Sequence, residues 1–139
     1  MNTKLFSPLT LPNGSVLPNR VAKAAMEENM AEDGQLPGTG LCELYRHWNA
    51  GGSGLLISEQ VFRTDEMVAG VEVAVVLERD TPLAPFKRWA EAGKQNGARF
   101  WLQISHPGRQ VFANMGGKVW PPSAVPLNMG KHSKLFGQP

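Results

Sequence analysis

Cysteine is nearly missing from this chain: Cys42 stands alone. A single thiol closes no internal disulfide, so no disulfide framework holds the fold, and a reducing, cytoplasmic setting is expected. Long apolar runs are missing as well. Met1 to Phe6 has no apolar stretch after a basic start, unlike a signal peptide, and no segment approaches the length needed to cross a bilayer. Charge of one sign is scarce too. Fourteen Lys and Arg against twelve Asp and Glu leave a formal net charge of +2, and the basic residues are scattered. Neither a nucleic-acid groove nor a polybasic membrane patch is expected from such a distribution. Several site signatures are absent. There is no Gly-x-Gly-x-x-Gly after a strand, no Gly-Lys-Ser/Thr and no Gly-x-Ser-x-Gly. Three His and one Cys, none at ligand spacing, argue against a metal site.

What is present suits one soluble globular domain: 139 residues, 42% hydrophobic and 19% charged. Glycine and proline fall at the ends of periodic segments, as turn residues should. Leu9-Thr10-Leu11 and Val16-Leu17 flank Pro12-Asn13-Gly14-Ser15, a strong hairpin signal. Asn19 to Met26 then reads as a strand and Glu27 to Thr39 as a loop. Leu41, Leu44, Tyr45 and Trp48 recur at helical spacing, and Gly51-Gly52 ends that helix. Gly54 to Val61 is a short apolar run that turns polar, the mark of a buried parallel strand. A loop from Arg63 to about Val73 leads to an extended Val75-Val76-Leu77. Thr81 and Pro82 read as the N-cap and first residue of a second helix. Its inner face would be Leu83, Phe86, Trp89, Ala90 and Gly93, and Asn96-Gly97 would end it. Arg99 to Ser105 is a further strand.

Strands alternating with helices imply a parallel sheet with right-handed crossovers. The expected fold class is α/β. Three strands alone leave the sheet open at an edge, so the pattern looks interrupted. Residues 116–139 lack periodicity and read as a long surface loop or tail.

In such folds chemistry sits at the carboxyl ends of the strands. Here those ends carry Ala25-Met26-Glu27, Ser58-Glu59-Gln60, and Gln103, Ser105 and His106 running on to Arg109. An amide, a carboxylate and a base on one rim could serve a planar polar cofactor, whose heteroatoms need fixed donors and acceptors. Each residue also has a plainer reading. Gln103 could satisfy backbone groups, His106 could be a turn residue, and Arg109 a surface charge. Glu27 and Glu28 could begin a solvated loop, and Glu59 could pair with a Lys or Arg.

Taken in order, the segments resemble the old yellow enzyme family. Leu5-Phe6-Ser7-Pro8-Leu9-Thr10-Leu11, Asn19-Arg20-Val21 and Ala25-Met26 resemble its opening. Gly51-Gly52-Ser53-Gly54-Leu55-Leu56-Ile57 resembles its second strand, and Trp101 to Gln110 its third, the most specific match. Pro121-Pro122-Ser123-Ala124-Val125 is similar to a segment that follows. The resemblance implies the N-terminal portion of a (β/α)8 TIM barrel, about three βα units, with a capping hairpin over residues 1–18, βα units over 19–115 and a loop or tail over 116–139. It implies FMN at the top of the barrel, NADH or NADPH as reductant, and hydride transfer to the activated C=C of a small unsaturated carbonyl substrate. Ala25 and Met26 would lie against the flavin, and Gln103 would bond its pyrimidine edge. His106 and Arg109 would lie on the substrate side. Two positions depart from the family pattern. Glu27 stands where Thr, Ser or Cys is usual near the flavin, and Gln60 replaces a small residue beside it.

The family's substrate-anchoring pair, its proton-donating Tyr and its phosphate loops come from later strands, and this sequence contains none of them. No catalytic residue is therefore assigned, and a missing C-terminal barrel portion, as a second chain or a lost segment, is the expected partner. The rival reading is a non-catalytic fragment or interaction module, its open edge covered by a partner chain or by a second copy in a homo-oligomer.

Overall fold

The computed structural model describes residues 4–62, 74–116 and 118–139. The loop read over Arg63 to Val73 lies outside them. The N-terminal hairpin pairs β1 (Leu9–Thr10) with β2 (Val16–Leu17) antiparallel. Its turn rests on Gly14, whose φ of +82° suits glycine, and on the Asn13 side chain, which accepts from the Ser15 amide at 3.0 Å.

β3 (Ala22–Lys23) is far shorter than the strand expected from Asn19 to Met26. Asn19 explains the late start. Its side chain accepts from the Val21 amide and donates to the Gly52 carbonyl, so it acts as a clamp before pairing begins. The loop expected over Glu27 to Thr39 contains a second small hairpin, β4 (Ala31–Glu32) with β5 (Leu36–Pro37). Its turn is Asp33-Gly34-Gln35, with Gly34 at φ +74° and Gln35 at φ +56°.

Helix α1 spans Thr39–Ala50 and buries Leu41, Cys42, Tyr45 and Asn49. Helix α2 spans Leu83–Gly93 and buries Trp89, Ala92 and Gly93. The second helix starts one residue later than expected. Pro82 is its N-cap, and Thr81 instead closes the preceding turn, its hydroxyl accepting from the Glu78 amide. Leu83, expected on the inner face, is 66% exposed; Phe86 is the first residue of this helix to pack on the core. The two helices are tied by a polar bridge that hydrophobic spacing does not reveal. Asn49 donates to the Gly93 carbonyl at 2.9 Å and accepts from Asn96 at 3.1 Å.

The parallel sheet is built on β6 (Leu55–Phe62). β3 pairs with its start, β7 (Val75–Val76) with its end, and β8 (Arg99–Ser105) runs along its whole length. The helices cover one face. Leu41, Tyr45, Leu56, Val61, Val75 and Trp89 form the core there, with Phe100 and Leu102 packed against it. Tyr45 meets the rings of Trp48, Trp89 and Phe100 edge-on at 5.0–5.4 Å, a favoured aromatic geometry. The sheet does not close on itself among the described residues, as befits part of a barrel.

One irregularity in β6 decides what faces the site. Ile57 pairs with Trp101 but Gln60 pairs with Gln103, so β6 carries one extra residue between these points. The bulge is filled by Ser58, whose buried hydroxyl accepts from the Gln103 amide at 2.9 Å and donates to the Glu59 carbonyl at 2.7 Å. A one-residue bulge exchanges the two faces of a strand. Leu56 enters the helix-covered core before it and Val61 after it, while Gln60 and Phe62 turn to the opposite face.

Beyond β8 the chain is irregular. It returns on itself: Phe112 and Phe136 stack at 5.0 Å, and the Gly137 amide donates to the Val111 carbonyl.

Candidate functional site

The carboxyl ends of β6 and β8 and the segment after β3 converge on a cleft of about 380 Å³. Glu27, Glu59, Gln60, Ser105 and His106 supply its polar lining, and Phe62, Val111, Phe112 and Met115 its apolar wall. A hydrogen-bonded chain crosses the rim. Ser105 Oγ donates to Gln60 Oε1 at 2.9 Å, and Gln60 Nε2 donates to Glu27 Oε1 at 3.1 Å. The amide of Gln60 is thereby oriented by two partners from two different segments.

The residues singled out from the sequence separate into groups. Glu27, Gln60 and His106 line this cleft. Ala25 and Met26 adjoin it in sequence, Ala25 half-buried and Met26 exposed. Gln103 stands opposite Gln60 in register, but its side chain is not part of the lining. Its half-buried carboxamide makes no hydrogen bond with a described residue. Arg109 lines a neighbouring cleft with His106. His106 does serve its turn, Nδ1 accepting from the Gly108 amide at 3.0 Å.

Behind the cleft lies a buried charge cluster that the sequence patterns do not single out. Lys23 Nζ forms an ion pair with Glu28 Oε1 at 2.7 Å, with both side chains almost wholly buried. The same ammonium donates to Tyr45 Oη at 2.9 Å and to the Ile57 carbonyl at 3.0 Å. It lies 4.8 Å from the Tyr45 ring centre and 4.5 Å from that of Trp48. Tyr45 Oη donates to Glu28 Oε2 and accepts from the Glu59 amide, each at 3.0 Å. Burial, and then the charge of Glu28, hold the phenol well above its ordinary range, so it stays protonated. Glu28 is thus no solvated loop start. A signal for it exists in the sequence: a lysine between alanines in a strand facing a core needs an acid nearby, because an unpaired buried charge is very costly.

Glu59 does not pair with a Lys or Arg within salt-bridge distance among the described residues. Its Oε2 accepts from the amides of Glu28 and Asn29 at 3.2 and 3.3 Å. Its Oε1 is buried with no hydrogen-bond partner among the described residues. Burial first, and then the charge of Glu28, push this carboxyl up to about 7, against the pull of the two amides and Lys23.

With this geometry in hand, the kinship is plain. Residues 4–134 match the model of the NADH:flavin oxidoreductase / NADH oxidase family. The chain belongs to that family. It is 34% identical over 131 residues to the NADH-dependent flavin oxidoreductase iliE of Hypocrea jecorina, a match covering 88% of this chain and 33% of the relative. Among solved structures it superposes on morphinone reductase with a TM-score of 0.72 at 31% identity, over 91% of this chain and 33% of that one. The old yellow enzyme of Trypanosoma cruzi shares the fold, with a TM-score of 0.74 at 21% identity over 91% of this chain and 36% of that one. The chain therefore spans about a third of the length of these relatives. The half-open sheet is the first part of their barrel, and the hairpin sits at its amino end, where Arg99 Nε reaches the Val16 carbonyl at 3.1 Å. No helix among the described residues is long and apolar enough to cross a membrane.

Proposed function

We propose that this chain forms the first part of an FMN-dependent oxidoreductase, completed by a C-terminal barrel portion. The observation that carries the reading is the Glu27–Gln60–Ser105 chain at the carboxyl ends of parallel strands, in a chain of this family. The residues fit a flavin's hydrogen-bonding edge. The rim offers both donors and acceptors, and the carboxamide of Gln103 has no described partner to lose. The cleft volume falls within the range of small-molecule and cofactor sites.

In this reading the chain would help to hold FMN, which when bound would supply hydride transfer from NADH or NADPH to the activated C=C of an unsaturated carbonyl compound. The chain's own residues bind and orient. Gln103 would hold the pyrimidine edge, and Ala25 and Met26 would lie against the ring. Gln60, fixed by Ser105 and Glu27, would narrow the space beside the cofactor. Glu27 would set an acidic side chain at the cofactor's rim, where its charge would disfavour an anionic reduced flavin by like-charge repulsion.

The test is the visible absorbance spectrum of the purified chain, alone and mixed with the complementary portion of a family barrel, with released cofactor identified by chromatography. A stoichiometric flavin band in either sample supports the reading. A folded, colourless protein in both would replace it with the non-catalytic interaction module. In a flavin-loaded complex, Gln103→Leu should weaken FMN binding by about 1–3 kcal/mol, the cost of buried polar groups left unpaired. Unchanged affinity would remove Gln103 from the site.

A further inference from the structure

A second cleft, of about 730 Å³, adjoins the first and has the opposite charge character. The two share His106, Pro107 and Gln110 as a common wall. Glu27 and Glu59 line the first, whereas the second has no carboxylate among the described residues of its lining. Its charged group is Arg109, half-buried and without a salt bridge or hydrogen bond to any described residue. Trp120, Pro121, Pro122 and Leu127 line the same cleft and supply flat and apolar groups. Lys118 Nζ lies 5.6 Å from the Trp120 ring centre. Because Nδ1 of His106 accepts from the Gly108 amide, the proton of the neutral ring sits on Nε2, which remains a donor.

A guanidinium with no counter-charge among the described residues, sharing one cleft with an indole, is suited to a carboxylate attached to a planar skeleton. The fork can take both carboxylate oxygens, and the ring and prolines can take the flat apolar body. We propose that this second cleft binds the carboxylate end of a planar unsaturated acid, with Arg109 as the anion partner and Trp120 as the stacking wall. The charge contrast fixes the ligand's direction. With its acid on Arg109, a long ligand passes His106 toward the first cleft. Reversed, its carboxylate would meet Glu27. The proposal deepens the flavin reading, on which it rests for the claim that the far end is the reducible one. Binding itself requires no flavin.

The experiment is a nuclear magnetic resonance titration of the full 139-residue chain with cinnamate and, separately, with cinnamamide, which has the same skeleton without the charge. Saturable shifts are expected at the Trp120 indole and at the Gly108 and Arg109 amides with cinnamate. Cinnamamide should bind about tenfold more weakly or worse, as loss of one charged hydrogen-bonded pair implies. Arg109→Gln should reduce cinnamate affinity to that of cinnamamide, while Arg109→Lys retains part of it. The amides of Leu56 and Val61 report whether each variant is folded. Equal affinity for the acid and the amide, full affinity in folded Arg109→Gln, or shifts that bypass Trp120 would each overturn the proposal. Cinnamate binding by a chain that never yields a flavin complex would sink the flavin reading and leave the anion cleft standing.

Discussion

Glu59→Gln isolates the energetic cost of one buried carboxyl. In the folded chain this carboxyl is raised from its ordinary 4.5 to about 7. The folded state therefore holds the proton more tightly than the unfolded state does. Below pH 4.5 both states are protonated, and the group's ionisation has no influence on stability. As pH rises through the window from 4.5 to 7, the unfolded chain releases its proton first, and stability falls. Above about 7 the loss is complete. An offset of this size corresponds to at most about 3.5 kcal/mol, at about 1.4 kcal/mol per pH unit. A glutamine at this position would keep an oxygen for the Glu28 and Asn29 amides and would not ionise. Urea unfolding of both proteins from pH 4.5 to 8 should therefore diverge. The wild type should lose about 2–3 kcal/mol relative to the variant across that range, so that Glu59→Gln is the more stable protein at pH 8. Parallel pH profiles would refute the reasoning, since the carboxyl would then titrate alike in both states.

Three further outcomes follow from the geometry. Tyr45→Phe should destabilise by about 2–4 kcal/mol in thermal or urea unfolding, because Lys23, Glu28 and the Glu59 amide all lose the same hydroxyl. Gly54→Ala should cost about 1–3 kcal/mol, since a Cβ there would lie 2.7–2.9 Å from Asn19 atoms, two of them backbone. Phe136→Ala should lower stability by about 1 kcal/mol and make the segment after Met115 an early target in limited proteolysis, as it removes the ring stacked on Phe112.

The parts legible in the sequence are those with a repeating signal. Helix α1 follows from Leu41, Tyr45 and Trp48, and β8 from the run between Arg99 and Ser105. Gln60 and His106 can be placed at one rim because strand ends in α/β folds share an edge, and the structure brings them into one cleft with Glu27. What is not legible depends on partners distant in sequence. Nothing local in Tyr45 shows that its hydroxyl will meet Lys23 and Glu28, and nothing in Asn49 shows that it will reach Gly93. The hairpin between Ala31 and Pro37 escapes notice because its first strand, Ala31–Glu32, lacks the apolar run that flanks the turn of the first hairpin. The length of β3 is overestimated for a related reason: its alanines fit helix, strand or loop alike, and pairing alone sets where it ends.

The bulge at Ser58 and Glu59 has a consequence for how this edge of the molecule can vary. Because the extra residue resets the alternation of β6, Leu56 and Gln60 occupy opposite faces although they are four positions apart, a spacing that keeps residues of a regular strand on the same side. Removing one residue there would leave the two only three positions apart, so a straightened strand would still hold Val61 against the aromatic layer and Gln60 on the cleft side, at the loss of the Ser58 hydroxyl bridge. Exchanging Gln60 for a smaller side chain would leave that layer untouched. The strand thus behaves as two half-strands joined by a coupling, one half committed to holding the helices and the other open to change at its exposed positions.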